Sequence, residues 1–456
     1  MGRSKKVIVI SIAVVILAGA VIIAYIAGKN INNRFLGGNQ AKLEESTATA
    51  AEIDDGAKSQ TADESSQNTD EDTGKANTKE QATQQEIKAM QEVKGETVGT
   101  DSEEKPEAIK VRAVYLTGNM AGISKSLDHF IELVNTTELN AVVIDIKDNG
   151  VVNYESNVPE VKSNQLYKKL YDADSVLKKL HQNNVYVIGR IVCFKDNGYA
   201  VKRPDLAIKR PDGTLWRENG KVAWLNPYNE DAWKYNIEIA KEAIEKGFDE
   251  IQFDYVRFPA ARAKDVNYGV NLPAKADAIC GFLETADKEL RQGKGAVVSA
   301  DIFGIICESV RDGQAIGQDL ERIGKSIDYI CPMVYPSHYA NAGAPGKVVM
   351  GNGVGQTING VKFTAPDLKP YEVVYNTLMK AKDRISKVEG YNAIMRPYLQ
   401  DFTATYISDK QYYQVYGAEQ VRQQIKAVYD AGYEEWILWN AGNVYSENAF
   451  EKDSGQ

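Results

Sequence analysis

The chain has 456 residues and a formal net charge of −9, long enough for one large domain or two ordinary ones. Its four cysteines, Cys193, Cys280, Cys307 and Cys331, form no C-x-x-C pair, and its three histidines, His129, His181 and His338, form no H-E-x-x-H. These absences disfavour a zinc ribbon, a redox motif and a zinc hydrolase, so no metal and no cofactor is expected. With an acidic balance and no basic stripe, nucleic acid is excluded as a partner.

Arg3, Lys5 and Lys6 precede an apolar run over residues 7–27, in which only Ser11, Gly19 and Tyr25 depart from aliphatic or alanine character. At about 1.5 Å of rise per residue this run is long enough to cross a hydrocarbon core of roughly 30 Å. A cleaved secretory signal is the competing reading, because Ala18-Gly19-Ala20 resembles a cleavage site. However, the run continues straight through it, and a secretory apolar region spans only about 7 to 15 residues. Residues 1–28 are therefore expected to form an uncleaved membrane anchor, and the preceding basic cluster places the rest of the chain outside a cell membrane.

Residues 29–110 follow as an acidic linker. From 41 to 110 there is no Phe, Trp or Tyr, and 18 acidic residues stand against 8 lysines. Such a segment cannot bury enough apolar surface to offset chain entropy, so a disordered tether with an r.m.s. span of about 45 Å is expected. The acidic balance of the whole chain belongs to this tether.

From 111 to 456, short β-branched runs alternate with amphipathic stretches, the pattern of repeated βα units. Eight strands are predicted, at 111–118, 141–147, 185–192, 250–258, 297–304, 329–335, 393–399 and 435–440, with helices at 231–246, 274–291, 371–388 and 418–431 among those separating them. Eight units with strands apolar on both faces predict an α/β fold, a (β/α)8 TIM barrel, rather than an open doubly wound sheet. The turn after the first strand, Thr117-Gly118-Asn119-Met120-Ala121-Gly122, lacks the G-x-G-x-x-G of a dinucleotide site. Long insertions follow strand three (194–227) and strand six (337–370). The second contains the glycine cluster 351–355, read as a loop or small hairpin.

In such a barrel, polar residues at the C-terminal ends of strands are the first candidates for chemistry. Asp145, Asp254 and Asp301 each stand fifth in their runs, AVVID, EIQFD and VVSAD. A buried carboxylate needs a partner, a water or a purpose. The alternative to function is an ion pair with Lys147, Arg190, Arg257 or Arg396. Strands four and five are neighbours about 4.8 Å apart, so Asp254 and Asp301 are the predicted catalytic pair, at a spacing suited to a retaining or, if staggered, an inverting glycosidase. Aromatic and polar residues at the strand ends extend the candidate cleft: Tyr335 and His338 after strand six, Asp401 after strand seven, and Trp439 and Asn440 at the end of strand eight. With Asp145 and the four cations just named, these are the predicted substrate-binding residues. Trp216 and Trp224 divide evenly between cleft and packing, whereas Trp233 and Trp436 are assigned to the core.

The segments VRAVYLTG, NAVVIDIKDNGVVNYES, VYVIGRIVCFKD, KGFDEIQFDYVRFP, SADIFG, YICPMVYPSHY, MRPYLQDF and EEWILWNAGNVYS, in this order, resemble the DUF4015 group within the wider superfamily of TIM-barrel glycosidases. FDEIQFDYVRFP is the most specific of them, and the resemblance covers residues 111–448. It implies a glycosidase-like barrel acting on a polysaccharide or oligosaccharide, with Asp254 as the catalytic carboxylate. Alpha-amylase-like barrels place the acid at the end of strand five, usually as Glu. Asp301 is shorter, which keeps Glu308 in reserve. A catalytically inactive, glycan-binding scaffold is the rival expectation, because one barrel serves many chemistries.

Overall fold

The computed structural model describes residues 109–339, 357–407 and 409–452. The predicted anchor, most of the tether and the glycine cluster at 351–355 lie outside the described residues. Eight parallel strands close on themselves: β1 Arg112–Leu116, β2 Ala141–Asp148, β3 Tyr186–Val192, β4 Glu250–Asp254, β5 Val297–Phe303, β6 Tyr329–Val334, β7 (Ile394–Met395 and Tyr398–Gln400) and β8 Trp436–Trp439. Each pairs in parallel with the next, and β8 returns to β1 through Arg112↔Trp436 and Val114↔Leu438. Closure removes every edge, and the expected (β/α)8 architecture is observed.

Helices cover the outside. Among them are α1 Ser124–Thr136, α2 Ala173–His181, α3 Glu230–Lys246, α4 Lys275–Lys294, α5 Val310–Ile316, α6 Leu320–Ile323, α7 Pro370–Ile385 and α8 Ala418–Asp430. Local chemistry sets their ends. In α3 the Asn229 side chain caps the Asp231 N–H, and Gly247, at φ 110°, supplies the left-handed turn that ends the helix. No helix among the described residues is long and apolar enough to cross a membrane.

Differences from the predicted strands have local causes. β4 stops at Asp254 because Tyr255 takes φ 48°, outside the strand region. β7 is interrupted at Arg396-Pro397, where proline has no N–H for the ladder, yet its register against β6 is the same on both sides (Met395↔Ile330, Tyr398↔Met333).

Successive strand residues face opposite sides of the barrel wall. Outward residues such as Val142, Ile144, Phe253 and Leu438 join the helices in one apolar cluster, while Ala113, Val143, Ile188, Cys331 and Ile437 form a second cluster inside. All four cysteines are buried and free, as expected of small core residues. The expectation of strands apolar on both faces fails at the lumen, where β4 presents Glu250, Gln252 and Asp254 in alternation.

These three residues mark three tiers. At the N-terminal end, Arg396 spans the lumen to Glu250 (2.8 and 2.9 Å) and Glu435 (2.9 Å), with its guanidinium 3.6 Å from the Tyr329 ring centroid. In the middle, Tyr398 donates to Gln252 across 2.5 Å. The upper tier contains the candidate site. Arg396 is thus a basal plug and not a substrate-binding residue. Removing one partner of a buried ion pair leaves uncompensated charge, so Arg396→Met is expected to cost about 3–5 kcal/mol of unfolding free energy. Denaturant titration checks this, and a loss under about 1 kcal/mol would contradict the plug assignment.

Candidate active site

The upper tier gathers three aspartates around one arginine. Arg190 on β3 donates to Asp145 Oδ1 at 2.6 Å and, from Nε, to Asp254 Oδ2 at 3.0 Å; a second guanidinium nitrogen also bonds Asp254 Oδ2. The same Nε lies 4.0 Å from Asp301 Oδ2. The nearest oxygens of Asp254 and Asp301 are therefore at most ~7 Å apart, the limit set by their distances to a shared nitrogen. That limit includes the roughly 5–5.5 Å of retaining glycosidases and only the lower edge of the inverting range.

The two predicted catalytic residues differ in their surroundings. Asp254 accepts on both oxygens, Oδ2 from Arg190 and Oδ1 from the Tyr255 N–H at 2.5 Å. Tyr255 holds the left-handed conformation in doing so, which is costly for a bulky residue and characteristic of constrained functional sites. Asp301 is 2 % exposed and its Oδ1 has no hydrogen-bond partner among the described residues. Burial first, and then the nearby Asp254 charge, raise its pKa well above the usual carboxylate range. Asp301 is thus a buried carboxyl, with its pKa pushed up, set beside a carboxylate that accepts on both oxygens.

Asp145 completes the arrangement. Its Oδ2 accepts from the Tyr115 hydroxyl at 2.5 Å, and Tyr115 is in turn fixed by the loop after β8: Tyr445 Oη donates to the Tyr115 carbonyl and accepts from its N–H. Desolvation outweighs Arg190 and lifts Asp145 to about 6.

Above the carboxylates stands an aromatic rim. Trp439 lies 6.2 Å from Tyr115, 5.8 Å from Tyr335 and 5.5 Å from Phe402 between ring centroids. His338 is half-buried against Tyr335 and Phe402, and burial pushes its imidazole down to about 4, so it is neutral at ordinary pH. Tyr115 and Phe402 were not singled out in the sequence. Inward alternation from Ala113 would have found Tyr115, but no sequence signal marks Phe402.

The structure thus brings together Asp145, Arg190, Asp254, Asp301, Tyr335, His338 and Trp439, and places Arg257 on the loop just beyond Asp254. Lys147, Asp401, Asn440 and Arg396 lie apart. Lys147 is 0 % exposed, paired with Asp196 at 2.6 Å and packed on Tyr235 of α3, on the helix side of the wall. Asp401 binds the Ser446 N–H and hydroxyl, both at 2.7 Å, and Asn440 bonds the Asp401 and Val444 carbonyls and the Gly442 N–H. These two residues tie the loops after β7 and β8 together. Glu308 caps the Asn359 N–H at 2.9 Å, while Trp216 and Trp224 are buried. Among the described residues no group of three acidic, Cys or His side chains is placed to hold a metal ion.

The raised Asp145 pKa implies a pH-dependent stability. Its folded value lies above the unfolded value of about 4, so its contribution is full below pH 4 and is lost as pH rises through about 6. Thermal melting is expected to fall between pH 5 and pH 8, and Asp145→Asn to flatten that slope. A slope unchanged in the variant would contradict the assignment.

Comparison with known proteins follows this geometry. The sequence model of a family described as "Putative glycosyl hydrolase domain", DUF4015, matches residues 113–445. No curated protein matches the sequence. Among solved structures, a hypothetical protein from Ruminiclostridium thermocellum is 50% identical over 41% of this chain and 96% of its own, with a TM-score of 0.39. The PgaB (BpsB) glycoside hydrolase domain from Bordetella bronchiseptica is 15% identical over 73% and 94%, at 0.49. A beta-galactosidase from the psychrophilic Marinomonas ef1 is 11% identical over 73% and 54%, at 0.50, and supports the barrel fold alone. With the family model spanning the whole barrel from β1 to the loop after β8, the chain belongs to the DUF4015 family of glycosyl hydrolase domains.

Proposed function

We propose that the barrel cleaves an envelope or extracellular polysaccharide by a two-carboxylate, retaining mechanism. Asp254 attacks the anomeric carbon as the glycosidic bond breaks, while Asp301 delivers its proton to the departing oxygen. Asp301, now ionised, then takes a proton from a water that attacks the glycosyl ester, which frees the sugar and restores both groups. Arg190 holds the Asp254 oxygen in place and offsets the charge that Asp301 acquires. The observation that carries this reading is the contrast between the two acids: Asp254 accepts on both oxygens, and Asp301, its pKa raised, has an oxygen without a partner. Tyr335, Trp439 and Phe402 supply apolar faces for sugar C–H surfaces. We also propose that residues 1–28 anchor the chain in a membrane, with the linker holding the barrel on its outer side.

One observation favours a second reading, a tethered barrel that grips glycan without cutting it. Asp254 is 5 % exposed and committed to Arg190, an arrangement that also suits a purely structural pair.

Release of reducing ends by the full-length chain, assayed in washed membranes and in the soluble fraction against wall and capsular glycans, separates these readings. Activity is expected in the membranes, abolished by Asp254→Asn and reduced roughly 10²–10⁴-fold by Asp301→Asn. Wild-type activity should fall as pH rises through the raised Asp301 pKa, and that limb should vanish in Asp301→Asn. Activity insensitive to Asp254→Asn would refute the roles, activity confined to the soluble fraction would refute the anchor, and no release from any glycan would favour the scaffold.

A further inference from the structure

Arg257 follows Asp254 by three residues and is 3 % exposed. Its guanidinium carbon lies 4.4 Å from the Phe303 ring centroid, 5.0 Å from Trp224 and 5.2 Å from Tyr255. Phe303 is two residues beyond Asp301 on β5, so Arg257 spans the ends of the two strands that carry the catalytic pair. Its one side-chain hydrogen bond among the described residues is from Nη1 to the Phe258 carbonyl, at 2.9 Å.

Arg257 differs from the other fully buried cations: Lys147 has Asp196 within ion-pair distance and Arg396 has Glu250 and Glu435, and the partly buried Arg190 and Lys195 are likewise paired, whereas the partly buried Lys275 bonds the Ala315 carbonyl. Among the described residues Arg257 has no carboxylate within that distance. Burial lowers its pKa from the usual arginine value, and the charges of Glu218 and Asp254, beyond ion-pair distance, offset this only in part. The three aromatic faces offset part of the cost of desolvating the cation but supply no hydrogen-bond acceptor for its fork. A folded barrel keeps such a group where a ligand supplies the missing charge.

We propose that Arg257 forms an anionic subsite beside the catalytic pair and that the glycan bound here carries a carboxylate, received by the guanidinium fork as the counter-ion the protein lacks. This inference rests on the reading of the cleft as a glycan site and adds the substrate class. Two sources share that chemistry, a uronic acid and the lactyl carboxylate of a peptide-free muramic acid glycan.

The test is equilibrium binding of the full-length protein to oligosaccharides of both kinds and to the same compounds after reduction of their carboxyl groups. At least one acidic series is expected to bind about 10-fold or more tightly than its reduced counterpart, the range of a hydrogen bond to a charged group, and the series that does so identifies the source. Arg257→Gln should collapse that ratio towards one. Should Arg257→Gln fail to fold, Arg257→Lys keeps the charge without the fork and should lower the ratio. Equal affinity for acidic and reduced forms in the wild type, or a ratio that survives substitution, overturns the proposal. Reducing-end release is measured in parallel: a carboxylate preference without cleavage leaves this subsite standing and removes the hydrolase reading, whereas cleavage without the preference does the reverse.

Discussion

One guanidinium organises the upper lumen. Arg190 rises from β3 between Asp145 on β2 and Asp254 on β4, and its Nε comes within 4.0 Å of Asp301 on β5. Three carboxylates at that depth would repel one another and be desolvated without it. With it, Asp254 is held by fixed donors, while Asp301 lies beyond hydrogen-bond reach of the arginine and its pKa is pushed up. Two chemically identical side chains are thereby set apart: burial and the Asp254 charge push Asp301 up, while Arg190 and the Tyr255 N–H bind Asp254.

The barrel makes this placement possible because alternation is strict. On β4, Glu250, Gln252 and Asp254 face inward at three depths, and each meets a partner from another strand: Arg396 at the base, Tyr398 in the middle and Arg190 at the top. The base is closed by charge, and the aromatic rim of Tyr115, Tyr335, Phe402 and Trp439 lines the opposite end. The loop after β8 reaches back through Tyr445 to fix Tyr115, which holds Asp145, so the position of Asp254 depends on contacts extending half of the way around the barrel.

Much of this was legible in the sequence. Eight apolar runs gave the strand count, and an aspartate at the fifth position of three of them gave the carboxylates and their common height. What could not be read was orientation and depth. Asp145 and Lys147 stand two apart and should share a face, but the β2 register shifts between them and turns Lys147 outward to Asp196. Arg396 resembled a mouth residue by type, yet it stands at the start of β7, one tier below Tyr398, where it neutralises two glutamates. Asp401 and Asn440 lie past their strand ends as catalytic residues do, but loop–loop hydrogen bonds consume them, and no sequence pattern announces such a bond. Arg257 was named as an ion-pair partner or a substrate-binding cation, and only the structure shows that, among the described residues, no carboxylate lies within ion-pair distance of it.

The central claim is that Asp301 is a neutral acid beside a charged partner in the resting protein. Infrared difference spectroscopy of protein carrying ¹³C-labelled aspartate, compared between wild type and Asp301→Asn, measures this directly. The account predicts a protonated carboxyl band at pH 5, above the usual carboxylate range, that is present in the wild type and absent from the variant. A wild-type spectrum at pH 5 in which Asp301 is already ionised would contradict it.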